Sequence, residues 1–306
     1  MDLQKRFLIT DGSGFIGTNL AHALLKKGSV TVLDLNPLQE TVRDTGIRVV
    51  DGDVLNRALL LDVLRSVDPT VVVHMAAITG IARCAEMPEK SFQINVGGTY
   101  NVTQSLKTVA PKAKLIFMSS REVYGETLGD STCESDICQP VNLYGLTKLL
   151  AEQVIQWASR TSGLCFSILR FTNVYGPGES KYAVSAFVQK AIKGQDLNIM
   201  GGEQTLNMLY VDDAVRAIEL CLERGVTDSE VFNIASTDNV TVRELVSRIL
   251  ANSGSSVKTT RSPMRLTETR RFIPDLRKSR QMLGFSQSIS LDEGLKRTIN
   301  YWRNKT

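Results

Sequence analysis

Tyr144 and Lys148 stand four residues apart in the run YGLTK, a gap that stacks both side chains on one face of a helix. An ammonium beside a phenol favours the phenolate and draws its pKa down from about 10, so the pair reads as a base for the proton of an alcohol. The spacing alone is a weak signal, because an exposed helix face carries such pairs too. Its surroundings strengthen it. KLIFMSSREVYG, at 114–125, is an apolar strand-like run that ends in Ser119 and Ser120, hydroxyls able to hold the same substrate oxygen.

A second constellation opens the chain. RFLITDGSGFIGTNLAHALLKKG is a strand-length apolar run, three glycines and an amphipathic helical pattern. Gly12, Gly14 and Gly17 satisfy G-x-G-x-x-G, with Phe15 and Ile16 at the helix N-terminus, where backbone N–H groups meet a pyrophosphate. About 20 residues on, VTVLDLN places Asp34 at the end of the next strand. A carboxylate there accepts from ribose hydroxyls and repels a 2′-phosphate, so the expected cofactor is NAD rather than NADP.

These residues need a scaffold that brings strand ends to one edge. Strand-like segments recur near 7–10, 30–34, 47–50, 70–74, 114–119 and 165–171, with helical patterns between them. That alternation predicts an α/β fold, a Rossmann-type doubly wound parallel sheet. The glycine loop, Asp34, Asp53, Ala76, Ala77, Ser120 and Asn173 each follow a predicted strand end. Beyond about 175 the alternation turns irregular, with helical patterns near 183–193, 212–223, 241–252 and 290–303. The expected division is a Rossmann domain over 1–174 and a smaller mixed substrate-binding domain over 175–306, the chain being free to cross between them.

Composition narrows the function. The chain has 306 residues and a net charge of +4, and no stretch approaches the roughly 18–20 apolar residues of a membrane span. The N-terminus enters its first strand almost at once, so a cytoplasmic protein without a secretory leader is expected. Five scattered cysteines and two histidines match neither a disulfide scaffold nor a metal centre, so no metal is expected. Seven arginines or lysines fall within 261–280. A cluster this local suits a diphosphate better than a nucleic acid or a membrane surface.

Taken in order, TDGSGFIG, VVDGDV, VVVHMAA, FQINVGGTYNV, SSREVYGE, YGLTK, LRFTNVYGPG, GGEQTLNMLYVDDAVRAI and FNIAS resemble the signatures of the extended short-chain dehydrogenase/reductases that modify nucleotide sugars, the NAD-dependent epimerase/dehydratase family typified by UDP-glucose 4-epimerase. The resemblance implies a nucleotide-diphosphate sugar as substrate and NAD as cofactor. It places Asp53 and Val54 near the adenine, Ala76 and Ala77 beneath the cofactor, and Asn95 beside the site. It makes Asn173, Arg265 and Arg271 substrate contacts. Tyr144 would take the proton of the sugar 4-hydroxyl, Ser120 would bond the same oxygen, and Lys148 would bond the nicotinamide ribose and keep Tyr144 acidic.

The first expectation for the reaction is 4-epimerisation through a 4-keto sugar. Dehydration or decarboxylation using Glu122 is the alternative. Family dehydratases resemble T-D-E where this chain has Ser120, Arg121 and Glu122, and an arginine cannot supply the missing acid. A 4-keto reductase and a non-catalytic NAD-binding protein are lesser readings. The resemblance also implies a homodimer joined through the helix bearing Tyr144 and the one near 91–108. Asp11 replaces the first family glycine, and Leu206 stands where a second diphosphate-binding arginine is expected.

Overall fold

The computed structural model describes residues 5–35, 46–127, 129–223, 228–265 and 267–305. Its first half runs β1 (Lys5–Thr10), α1 (Phe15–Leu25), β2 (Gly28–Asp34), β3 (Arg48–Asp51), α2 (Arg57–Val67), β4 (Val71–His74), α3 (Ile81–Glu86), α4 (Pro88–Phe92), α5 (Thr99–Val109), β5 (Lys114–Ser120), α6 (Leu143–Ser162) and β6 (Phe166–Phe171). The second half runs β7 (Asn173–Tyr175), α7 (Ala183–Ile192), β8 (Leu197–Met200), β9 (Thr205–Tyr210), α8 (Val211–Glu223), β10 (Glu230–Ile234), β11 (Asn239–Thr241), α9 (Val242–Ser253), β12 (Thr259–Ser262) and α10 (Leu291–Arg303).

Seven parallel strands form the main sheet in the order β3-β2-β1-β4-β5-β6-β10. The order reverses direction between β1 and β4, the switch point at which doubly wound sheets open a crevice. The central strands are apolar on both faces. Leu8, Val72, Leu115 and Phe117 pack on one side, against a core shared with Leu60, Leu106 and Ile155. Phe7, Ile9, Val73 and Ile116 pack on the other, with Leu20, Leu24, Ile218 and Phe232. That two-sided burial is why these strands read as unbroken Val/Ile/Leu runs rather than alternating ones.

The second half does not stay in one place. Helix α8 packs against α1, and β10 adds the seventh strand beside β6. The remainder forms a smaller lobe, with the mixed sheet β11-β9-β7 and the pair β12-β8. Its core is built from Tyr175, Val188, Met208, Leu245 and Leu295. Tyr175 is a packing aromatic there: it meets Tyr210 edge-on at 5.7 Å, and its hydroxyl donates to the Leu291 carbonyl at 3.1 Å.

Candidate active site

The glycine loop joins β1 to α1 by close packing. A Cβ on Gly17 would lie 2.5 Å from the Asp11 carbonyl oxygen and 2.6 Å from the Gly12 Cα, distances that no side chain survives. Helix α1 carries no side-chain cap at Gly14, so its first backbone N–H groups, around Phe15 and Ile16, are left to an anionic group from outside the helix. Asp34 ends β2 beside this turn, buried, its Oδ2 accepting from the Ser13 N–H at 2.9 Å. The uncapped helix, the glycine cradle and the adjoining carboxylate fit a dinucleotide.

The floor of the crevice is held by a buried histidine that sequence reasoning left without a role. Thr99 Oγ1 donates to the Asn95 carbonyl at 2.7 Å and therefore accepts from His74 Nε2 at 3.0 Å. His74 Nδ1 accepts from Thr10 Oγ1 at 2.8 Å. The same Thr10 oxygen receives the N–H groups of Met75 and Ala76, both at 3.1 Å. His74 thus joins β1, the Ala76–Ala77 turn and α5. Burial, with Lys148 adding to it, drives its pKa down to about 3, so it is neutral at any working pH.

Asn95 lies in a π-helical turn, Gln93–Gly98, that interrupts the path from α4 into α5. Its Nδ2 donates to the Ile78 carbonyl at 3.0 Å and to Thr147 Oγ1 at 2.9 Å, while its Oδ1 accepts from Ile78 N–H at 2.7 Å. Both of its N–H donors are engaged by protein. Asn95 thereby ties the turn after β4 to α6. Asp53 is likewise engaged locally, its Oδ1 accepting from Leu55 N–H at 2.9 Å, and Val54 is buried in the core.

Helix α6 is started by Asn142, whose Oδ1 accepts from Gly145 N–H at 2.8 Å. Gly145 is required by proximity, since a Cβ there would lie 2.2 Å from the Glu122 carbonyl oxygen. The close approach of α6 to the end of β5 brings Tyr144, Ser120 and Lys148 together. Ser120 lies close enough to Tyr144 to oppose the rise of its pKa, and its hydroxyl accepts from Glu122 N–H at 3.2 Å. Lys148 is buried, donates to the Met118 carbonyl at 2.6 Å and lies 4.6 Å from the centre of the Phe117 ring. Its burial lowers its pKa to about 8, against the pull of Asp11 and Glu152.

Burial pushes the Tyr144 phenol well above its ordinary range, with Tyr182, Cys84 and Glu122 adding to the rise and Ser120 opposing it. Lys148 directs its ammonium to the Met118 carbonyl. One expectation is corrected at Ser119, which faces the opposite side of β5 from Ser120. Its hydroxyl donates to Glu152 at 2.5 Å. Glu152 is gripped by Arg170 through contacts at 2.7 and 3.0 Å. Arg170 also donates to the Tyr124 hydroxyl at 2.9 Å, which donates in turn to Asn233 at 2.7 Å. This buried chain binds β5, α6, β6 and β10 together and leaves Ser119 no part in catalysis.

Glu122 is buried and held on both oxygens. Oε1 pairs with Arg121 at 2.9 Å, while Oε2 accepts from Asn142 at 2.8 Å and from Thr269 at 3.5 Å. On the sugar side the residues are more scattered. Asn173 donates to the Asn207 carbonyl at 3.2 Å. Arg265 is half exposed and faces Glu268 at 3.5 Å. Arg271 donates to the carbonyls of Gly129 and Asp130, at 2.6 and 3.5 Å. Leu206 packs in the smaller lobe's core. Tyr182 came with no signal in the sequence: its hydroxyl lies 2.6 Å from Thr79 Oγ1, joining the start of α7 to the turn after β4, close to Tyr144. Two further concavities, of about 580 and 310 Å³, are lined by other residues, around Ser255 and Arg277 respectively.

A switch-point crevice with a glycine loop, and a serine, tyrosine and lysine at its mouth, defines an oxidoreductase-type member of the short-chain dehydrogenase/reductases. Residues 7–235 match the family model described as "NAD dependent epimerase/dehydratase family", and the chain belongs to that family. It is 31% identical over 327 residues to the UDP-N-acetyl-alpha-D-glucosaminuronate decarboxylase of Bacillus cytotoxicus, covering 98% of each chain. The UDP-glucose 4-epimerase of Thermotoga maritima, solved with UDP-glucose, superposes with a TM-score of 0.92 at 29% identity, over 98% of this chain and 99% of that one. The UDP-glucuronic acid 4-epimerase of Bacillus cereus, solved with UDP-glucuronic acid and NAD, gives 0.91 at 27% identity, over 98% and 99%.

Proposed function

We infer that the protein epimerises a nucleotide-diphosphate sugar at C4, with UDP as the nucleotide carried by the similar enzymes. The observation that carries this reading is the joining of Ser120, Tyr144 and Lys148 at the crevice mouth, beside an Arg121 that cannot act as an acid. When bound, NAD would supply reversible hydride chemistry at C4. Ser120 holds the 4-oxygen, and Tyr144 takes its proton as the C4–H bond breaks. Lys148 lies one helical turn from Tyr144, where its ammonium supports ribose hydroxyls and the developing phenolate. For epimerisation the 4-keto sugar must present its other face before Tyr144 returns the proton. No group has to act at C5 or C6.

Glu122 carries the second reading. It lies close enough to Tyr144 to raise the phenol's pKa, and the decarboxylase relative acts on a uronate. Against that, both of its oxygens are committed to Arg121, Asn142 and Thr269. Incubation with UDP, dTDP, GDP and CDP sugars, followed by chromatography with mass detection, tests the choice. A separated product of unchanged mass is expected. Loss of carbon dioxide or water would assign Glu122 the chemistry, and no product from any sugar would favour an NAD-binding protein without turnover.

Two coarser readings accompany this one. Helices α5 and α6, which pack together, present Tyr100 and Trp157, each 44% exposed, and this supports a homodimer through that pair. Light scattering should then find twice the 33.8 kDa chain mass. Among the described residues no helix is long and apolar enough to cross a membrane, and all five cysteines are free thiols. A cytoplasmic location accords with both.

A further inference from the structure

The residue that departs from the glycine pattern is placed to sense the cofactor. Asp11 sits in the left-handed region, at φ 58°, the conformation that glycine adopts freely and Asp or Asn tolerates better than most residues. Its Oδ2 lies 3.3 Å from where a Cβ on Gly14 would stand. The carboxyl therefore lies by the uncapped N-terminus of α1, where the NAD diphosphate would be held. It makes no hydrogen bond or ion pair with any described residue.

We propose that Asp11 is a proton-dependent cofactor contact: its neutral carboxyl donates a hydrogen bond to the NAD diphosphate, and its carboxylate repels it. The charges around it explain why a proton is available. A helix N-terminus and three cations, Lys181 ahead of α7, Lys148 on α6 and Arg83 on α3, favour the carboxylate. Burial and the facing Asp34 on β2 outweigh them and raise the Asp11 pKa to about 7. Tyr182 also faces it and stays neutral, its phenol pushed up by burial. His74 is neutral throughout. NAD binding above neutrality therefore takes a proton from solvent onto Asp11, and affinity falls as pH rises.

The inference rests on NAD occupying this loop. The test titrates NAD into nucleotide-stripped protein by calorimetry from pH 6 to 8.5, for wild type, Asp11→Asn and Asp11→Gly; both replacements suit the positive φ. Wild-type Kd should rise by about 10-fold or more across this range, while both variants stay nearly flat. At pH 7.5, buffers of different ionisation enthalpy should show most of one proton taken up by wild type and nearly none by Asp11→Asn. Since all three proteins keep Lys148, parallel profiles or equal proton uptake would overturn the proposal. No NAD binding by any of the three at any pH would instead remove the cofactor reading beneath it.

Discussion

The cofactor half of the crevice and its sugar half are held in different ways. In the first, buried hydrogen bonds link residues around the crevice: Thr10, His74, Thr99, Asn95 and Thr147 form one connected set. Ser119, Glu152, Arg170 and Tyr124 form another behind Ser120. In the second, Arg265 and Arg271 stand on the 261–280 segment and, among the described residues, meet a neighbouring carboxylate and loop carbonyls. Oxidation at one carbon needs a geometry fixed to a fraction of an ångström, and rigid elements supply it. On the proposed reading, sugar choice would fall to these loop residues, whose replacement leaves that geometry in place.

If this contrast holds, changes in the first half should remove turnover or stability, and changes in the second should shift substrate binding. Tyr144→Phe should lower kcat by about 100- to 10,000-fold with NAD affinity near wild type, measured by turnover and calorimetric titration. Arg170→Ala should cost about 3–5 kcal/mol in urea unfolding, because it leaves Glu152 buried without its partner. A loss under about 1 kcal/mol would show that the buried chain is dispensable. Arg265→Ala should raise KM for the sugar nucleotide by roughly 10-fold with kcat little changed; an unchanged KM removes Arg265 from the site. The smallest effect belongs to Glu122→Gln, which should alter epimerisation by no more than about threefold, since Glu122 has no step in that scheme. Abolished turnover would place Glu122 in the chemistry.

The residues that the structure gathers at the candidate site were legible where their signals are local. The G-x-G-x-x-G turn, the four-residue gap from Tyr144 to Lys148 and the apolar run into Ser120 each lie within one strand, turn or helix. Alternating apolar segments likewise announced six of the seven main-sheet strands. The seventh, β10, was hidden because the chain first leaves the sheet through β7, α7, β8 and β9 of the smaller lobe before α8 and β10 bring it back beside β6. The supporting networks were hidden for the same reason. Thr10 meets His74 across 64 residues, Tyr124 meets Asn233 across 109, and Thr79 meets Tyr182 across 103. No spacing rule links residues so far apart. Nor does i, i+4 placement, which says which face a lysine shares, foretell that the Lys148 ammonium meets the Met118 carbonyl.

The central claim is that the reaction runs through oxidation at C4 of the sugar by Tyr144 and NAD. Its most direct test is turnover of a UDP-sugar carrying deuterium at C4, with the product examined by NMR and mass spectrometry. Inverted configuration at C4 with the deuterium retained there is the predicted result, because the hydride leaves and returns within one closed site. Product in which C4 has lost its deuterium to solvent hydrogen would contradict it.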